Sequence, residues 1–182
     1  MNNNGVVSLE QLRACSRQLA AGVTIVTTCD VKGYPYGLTM SAVVCLSLEP
    51  ALFLICVSEK SDTLGPLLES GTFAINVLGR GQETLARTFA SKGRAEKFKH
   101  IVYDLSSPTR LPVLANALAV VECKLIDTYA GGDHRIVIGE VRVTRMNGGL
   151  PLVHYDGRYL GVDTGSHSFD YVACRDLSSE RA

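Results

Sequence analysis

Apolar positions recur at helical spacing in three short stretches and otherwise alternate or run in strand-length blocks. Leu9, Leu12, Cys15 and Leu19 share one face, and Ser8 with Gln11 three residues on forms a capping-box start. An amphipathic helix is expected over Ser8 to Ala20, closed by Gly22. The β-branched run Val23 to Cys29 predicts a strand, and the cluster Asp30-Val31-Lys32-Gly33 turns it into a hairpin with Tyr34 to Leu48. Glu49-Pro50 punctuates, and the short bounded apolar block Ala51 to Val57 predicts a buried strand. Asp62 or Thr63 caps a short helix through Leu67, Leu68 and Glu69 that ends at Gly71, with Pro66 tolerated in the first turn. Thr72 to Leu78 is expected to be a strand. Gln82 to Ser91, with Leu85, Ala86 and Phe89 on one face and Gly93 beyond, is expected to be a helix, and Arg94 to His100 continues irregularly or as one more turn.

The second half is richer in strands. Leu118 to Ile126 and Ile136 to Arg145 are long and β-branched, joined by a loop over Tyr129-Ala130-Gly131-Gly132-Asp133. Pro151 to Tyr155 and Arg158 to Leu160 pair through Asp156-Gly157, a strong hairpin signal. The polar tail from Asp163 to Ala182 is expected to be partly disordered, with Phe169, Tyr171 and Val172 available to dock. Strands outnumber helices without a βαβ rhythm, so the pattern favours a mainly antiparallel β-barrel, closed or nearly so, with helices outside. A dinucleotide fold of the βαβ type is disfavoured. Gly79-Arg80-Gly81 has Thr84 where the third glycine belongs, and no acidic residue follows a second strand suitably.

Composition narrows the function classes. The 182 residues carry 18 basic and 18 acidic side chains, with no basic block, which argues for one domain and against nucleic acid as a partner. The longest apolar run is strand-sized, so no membrane span is expected, and Met1 to Gly5 shows no secretory signal. Six cysteines without a C-x-x-C spacing indicate a reduced, cytoplasmic protein.

Nucleophile-elbow, P-loop and H-E-x-x-H motifs are absent, and His100, His134, His154 and His167 are too scattered to suggest a metal site. Small and hydroxylated residues interleave with apolar ones from Gly37 to Ser47, which lets backbone approach a planar ligand. Ser58, Ser61, Asp62 and Thr63 offer hydroxyls to a phosphate, or serve simply as a helix cap. Lys92, Arg94 and Lys97 offer positive charge, though a solvated basic face reads the same way. Gly131-Gly132-Asp133-His134 delivers an imidazole beside a carboxylate at a strand start.

Taken in order, several segments resemble the flavin reductase family, the short-chain NAD(P)H:flavin oxidoreductases of two-component monooxygenases. They are Gly22-Val23-Thr24-Ile25-Val26-Thr27-Thr28, Gly37-Leu38-Thr39-Met40-Ser41-Ala42, Ser47-Leu48-Glu49-Pro50, Phe73-Ala74-Ile75-Asn76-Val77-Leu78, Leu85-Ala86-Arg87-Thr88-Phe89-Ala90, and Gly132-Asp133-His134 with Gly139-Glu140-Val141. The resemblance covers about Leu12 to Gly161. It implies an FMN-binding split β-barrel of Greek-key type with peripheral helices, usually a homodimer, holding FMN or FAD non-covalently and using NADH or NADPH. By position, Leu38, Thr39, Met40, Ser41 and Ala42 would line the isoalloxazine, and Ser47 and Leu48 would lie near the flavin tail. Ser58, Ser61, Asp62 and Thr63 would bind ribityl or phosphate, and Asn76, Val77 and Leu78 would support the pocket. Phe89, Ala90 and Lys92 would close on the flavin, Lys92 as the phosphate counter-charge. Asp133 and His134 would meet the nicotinamide nucleotide, with Tyr159 adding to that wall. Ala42 stands where the family often has Ser, Cys45-Leu46-Ser47-Leu48 where it often has Ser-Val-Ser before the proline, and Pro50-Ala51 where two prolines are common.

The implied chemistry needs no protein nucleophile: the cofactors carry it, while the protein stacks two rings and excludes water. Reduced flavin would pass to a partner monooxygenase. The rival readings are a non-catalytic flavin-binding protein and a haem-binding split barrel. FMN against FAD, and NADH against NADPH, are not separable from the sequence.

Overall fold

The computed structural model describes residues 7–93, 97–105 and 107–162. Its elements in chain order are α1 (Leu9–Ser16), β1 (Ala21–Gly22), β2 (Thr24–Cys29), β3 (Pro35–Met40), β4 (Val43–Ser47), β5 (Leu52–Ser58), α2 (Leu64–Ser70), β6 (Thr72–Val77), α3 (Glu83–Ala90), β7 (Tyr103–Asp104), β8 (Val113–Leu114), β9 (Ala119–Gly131), β10 (His134–Met146), β11 (Leu152–Tyr155) and β12 (Arg158–Gly161). Seven strands form one antiparallel sheet in the order β3-β2-β6-β9-β10-β5-β4. The sheet curls into the expected split barrel and stays open between its edges, β3 and β4, which follow one another in sequence. A second sheet, β1-β11-β12, is tied to it where the Val23 amide donates to the Leu152 carbonyl and the Leu152 amide to the Leu78 carbonyl.

Curvature comes from β9 and β10, whose register slips at Ile138/Gly139 and again between Val141 and Val143. Gly139 is required there, because a Cβ would stand 2.5 Å from the Phe73 ring. The barrel interior holds Val26, Ile55, Phe73, Ile75 and Val137, all fully buried. Val23, Ile25, Leu78, Ala86, Phe89 and Leu152 make a second cluster, which joins α3 to the β11–β12 hairpin. Each of the Val, Ile, Leu and Phe side chains among them contributes about 1.5–3 kcal/mol relative to exposure.

Several expectations hold at residue level. Ser8 and Gln11 exchange both capping-box bonds, at 3.1 and 3.0 Å. Gly71 ends α2 in the left-handed region at φ 66°. The helix expected over Gln82 to Ser91 is present as α3, capped at Ser91. Asp156 and Gly157 both take positive φ, 47° and 73°, the signature of a two-residue hairpin turn matched to strand twist. Asp30 Oδ1 accepts from the amides of Lys32 and Tyr34, which closes the β2–β3 turn.

Others are corrected. Tyr34 to Leu48 is not one strand: β3 stops at Met40 and β4 starts at Val43, because the chain crosses at Ser41-Ala42 from one sheet edge to the other. The loop expected at Tyr129 to Asp133 shrinks to Gly132-Asp133, since β9 keeps pairing with β10 through Gly131. The first helix ends at Ser16 and buries none of its residues, with Leu9 62% and Leu12 59% exposed. Thr63 precedes α2 in helical backbone geometry without a side-chain cap bond. Residues 94–96, the tail from Asp163 and Cys174 lie outside the described residues.

The irregular stretch before β9 is held by buried polar groups. Asn76 Nδ2 donates to the Ile25 carbonyl at 3.0 Å and to Thr27 Oγ1 at 3.1 Å, while its Oδ1 accepts from the Leu114 amide at 2.8 Å. Thr27 Oγ1 donates onward to the Pro112 carbonyl at 2.6 Å. Glu122, fully buried, accepts from Ser107 and Thr109 and pairs with Arg145 at 3.2 Å. Among the described residues no helix is long and apolar enough to cross a membrane.

Candidate functional site

β3, the turn after β5 and the end of α3 converge on one groove. Helix α3 reaches β3 because residue 37 is glycine: a Cβ there would lie 2.8 Å from the Phe89 ring. Thr39 Oγ1 donates to the Ala86 carbonyl at 2.7 Å and fastens the strand to the helix. The Met40 carbonyl, in turn, accepts from Thr24 Oγ1 at 2.9 Å. The strand expected to face a planar ligand is therefore rigidly held on both sides.

The groove consists of two adjoining cavities. The first, of about 300 Å³, is lined by Leu38, Thr39, Phe89 and Ala90, by Lys60, Ser61 and Asp62, and by Ser91, Lys92 and Lys97. Its charge is concentrated in lysines. Lys92 is exposed at the lip, whereas Lys97 is only 4% exposed, its Nζ donating to the Gly37 carbonyl at 3.0 Å. Asp62 Oδ1 lies 3.9 Å from that ammonium, an ion pair longer than a hydrogen bond. Burial holds the Lys97 ammonium below the usual lysine range, and Asp62 opposes that shift. An ammonium has three donors, so Lys97 retains capacity for an anionic ligand.

The second cavity, of about 180 Å³, shares Thr39 and Ala90 with the first and adds Val23, Met40, Ser41, His154 and Tyr159. Its walls are apolar and aromatic. The groove thus runs from a cationic end to an aromatic end, the polarity of a ligand with a planar ring system and an anionic tail. FMN and the FMN half of FAD have that form, and the residues present fit them.

Of the expected site residues, Leu38, Thr39, Met40, Ser41, Ser61, Asp62, Phe89, Ala90, Lys92 and Tyr159 come together along this groove. The remaining ones do not line it. Asn76 and Leu78 are fully buried, Asn76 in the polar clip described above, and Val77 lies beside them at the end of β6. Thr63 is buried at the start of α2. Ala42 sits in the crossing between β3 and β4, where its carbonyl accepts from the Cys56 amide. Ser47 ends β4, and Leu48 beyond it is 85% exposed. Ser58 pairs with His134 across β5 and β10, and the Glu59 amide donates to the Asp133 carbonyl, so the Asp133-His134 turn stands beside Lys60. His134 Nδ1 lies 2.7 Å from Asp133 Oδ1. That hydrogen bond holds the Asp133 carboxyl below its usual range.

Lys60 and His154 had no sequence signal, because each joins the groove only through tertiary contacts. Lys97 was visible only as one member of a basic cluster. Among the described residues no cluster of three or more His, Cys, Asp or Glu is placed to hold a metal. The Cys123 thiol, buried in the barrel, is pushed up to about 12 by desolvation and the Glu122 carboxyl, and is unsuited to thiolate chemistry.

An open antiparallel barrel with a groove of this polarity defines a split-barrel protein that binds a flavin-type nucleotide. The chain belongs to the flavin reductase like domain family, whose model matches residues 16–163. It is 41% identical over 140 residues to the reductase component of the 4-nitrophenol 4-monooxygenase/4-nitrocatechol 2-monooxygenase of Rhodococcus opacus, covering 77% of this chain and 74% of that protein. It is 38% identical to a flavin reductase (NADH) of Kitasatospora aureofaciens, covering 75% and 72%. In structure it resembles a Streptomyces globisporus NADH:FAD oxidoreductase solved with NAD and FAD fragments, with a TM-score of 0.81, 32% identity, and 88% and 98% of the two chains covered.

Proposed function

We propose that this protein is an NAD(P)H-dependent flavin reductase that supplies reduced FMN or FAD to a partner flavin-dependent monooxygenase. The observation that carries the reading is the continuous groove, with buried Lys97 at one end and the His154–Tyr159 rings at the other. The relatives named as reductases and reductase components support it. When bound, the flavin supplies the chemistry, accepting at N5 the hydride that leaves nicotinamide C4.

The chain's own contribution is placement and electrostatics. Lys97 and Lys92 meet the anionic tail, one buried and fixed, the other at the lip, with Ser61 beside them. The Leu38 to Ser41 backbone, held by Thr24 and Ala86, presents a rigid edge to the ring system. Phe89 and Ala90 exclude water from the tail side, and Tyr159 walls the ring side. Asp133 orients His134 through Nδ1 and leaves Nε2 for the polar part of the pyridine nucleotide. No protein group needs to exchange a proton for hydride to pass.

The functional unit is a homodimer. Val44 and Leu46 on edge strand β4, with Leu48 just beyond, are 54%, 44% and 85% exposed, an apolar edge that a second copy would cover.

The test is aerobic oxidation of NADH and of NADPH, followed by loss of their near-ultraviolet absorbance, with no flavin, FMN or FAD added. Turnover that depends on added or bound flavin is expected. Folded protein that binds flavin yet oxidises neither nucleotide would overturn the reductase reading and leave a flavin-binding protein.

A further inference from the structure

The aromatic end of the groove contains an imidazole that the family resemblance did not single out. His154 on β11 lies directly opposite Tyr159 on β12 in the strand register. Their rings meet edge to face, with centroids 5.6 Å apart and planes inclined at 60°. The Arg87 guanidinium stands 5.1 Å from the Tyr159 centroid, so that ring is held by contacts with both His154 and Arg87. Among the described residues the His154 imidazole has no hydrogen-bond or ion-pair partner. The imidazole is half-buried on the cavity wall, and its nitrogens carry no protein partner that a ligand in the cavity would have to displace.

The lysines of the larger cavity take the flavin's anionic tail, and the flavin's ring system lies along β3, where the two cavities meet at Thr39 and Ala90. The rest of the smaller cavity, walled by Val23, His154 and Tyr159, is left for a single substituted heteroaromatic ring stacked on the flavin. A nicotinamide ring carries a carboxamide, which both donates and accepts, so either tautomer of a neutral imidazole can bond it.

We propose that His154 is a binding residue for the nicotinamide ring: its ring nitrogen hydrogen-bonds the nicotinamide carboxamide in the smaller cavity, with Tyr159 as the aromatic wall. This rests on the flavin reductase reading above. It gives His154 in the groove and His134 outside its lining separate tasks. His134 meets the polar part of the nucleotide from the rim, and His154 fixes the ring that must face the flavin.

The experiment compares wild type with His154→Phe, which keeps a ring and removes both nitrogens, and His154→Gln, which restores an amide donor and acceptor. Three quantities are read: Kd of NAD+ for the flavin-loaded protein by calorimetry, KM for NADH, and Kd of FMN. His154→Phe is expected to raise the first two by about three- to tenfold, the size of one lost hydrogen bond, and to change FMN binding less than about twofold. His154→Gln is expected to recover most of the loss, which a purely structural role would not produce. His154→Leu replaces His154→Phe if thermal unfolding shows that the ring does not fit. The inference is overturned if NAD+ and NADH parameters stay at wild-type values, or if FMN binding weakens as much as they do. Wild-type protein that oxidises no pyridine nucleotide with either flavin would instead bring down the reductase reading itself.

Discussion

Lys97 Nζ donates to the Gly37 carbonyl at 3.0 Å, across 60 residues of sequence, and so ties the segment after α3 to the strand that faces the groove. The same glycine admits the Phe89 ring that closes the cavity. Gly37 therefore sets both the position of the buried charge, through its carbonyl, and the shape of the wall beside it, through its missing Cβ.

The buried ammonium is expected to make flavin binding pH-dependent. Desolvation lowers the Lys97 pKa, and Asp62 offsets this only in part. In the free protein the charge is costly below the depressed pKa, and folding stability rises with pH between that value and the ordinary lysine value, where only the unfolded chain keeps the proton. Ligand binding has the opposite sign, since the anionic tail needs the protonated form. FMN affinity is expected to fall as pH rises through the depressed pKa, and Lys97→Met to lower affinity by about tenfold at neutral pH and flatten the profile. Fluorescence titration of FMN across pH checks both.

Lys92 should behave differently because it is exposed. An attraction between it and the flavin phosphate would be screened by salt, so Lys92→Ala is expected to weaken FMN binding by a few-fold at low ionic strength and by much less at high. The check is the same titration at two salt concentrations. An equal loss at both would assign the side chain a packing role.

His134→Ala is expected to raise KM for NADH with FMN affinity nearly unchanged, because the imidazole stands at the rim beside Ser58 and not among the groove-lining residues. Asp133→Asn should reproduce part of that effect by loosening the bond to Nδ1. Steady-state kinetics with each substrate varied decides it. Weakened flavin binding alone would refute the assigned role.

Local chemistry explains what the sequence made legible. The Ser8–Gln11 box, the Gly71 helix end and the Asp156-Gly157 turn are short-range devices, and all three appear in the structure. The groove strand Leu38 to Ser41 and the helix end Phe89-Ala90 were readable because their motifs lie contiguous in the chain. Lys60 and His154 were not, since they become neighbours of the groove only once β5 and β11 are placed. The turn at Gly132-Asp133 is shorter than its sequence suggests for a related reason. Continued pairing of β9 with β10 overrode the loop chemistry of Tyr129 to Gly131. Asn76 shows the converse: a residue singled out by a motif of the site turns out to be fully buried in a polar clip.

That placement separates stability from function at Asn76. Its amide satisfies the Ile25 carbonyl and Thr27 Oγ1, and its Oδ1 satisfies the Leu114 amide, all buried. Asn76→Ala removes these partners and strands the Leu114 N–H, so a loss of about 2–4 kcal/mol is expected in denaturant unfolding. The segment bearing Leu114 packs with Val23, Phe89 and Leu152 in the cluster beneath α3. Its release should therefore reach the groove only through partial loosening of α3. Under conditions where the variant remains folded, FMN affinity is expected to fall by no more than about threefold. A large loss of flavin binding without loss of stability would place Asn76 in contact with the ligand and contradict the clip.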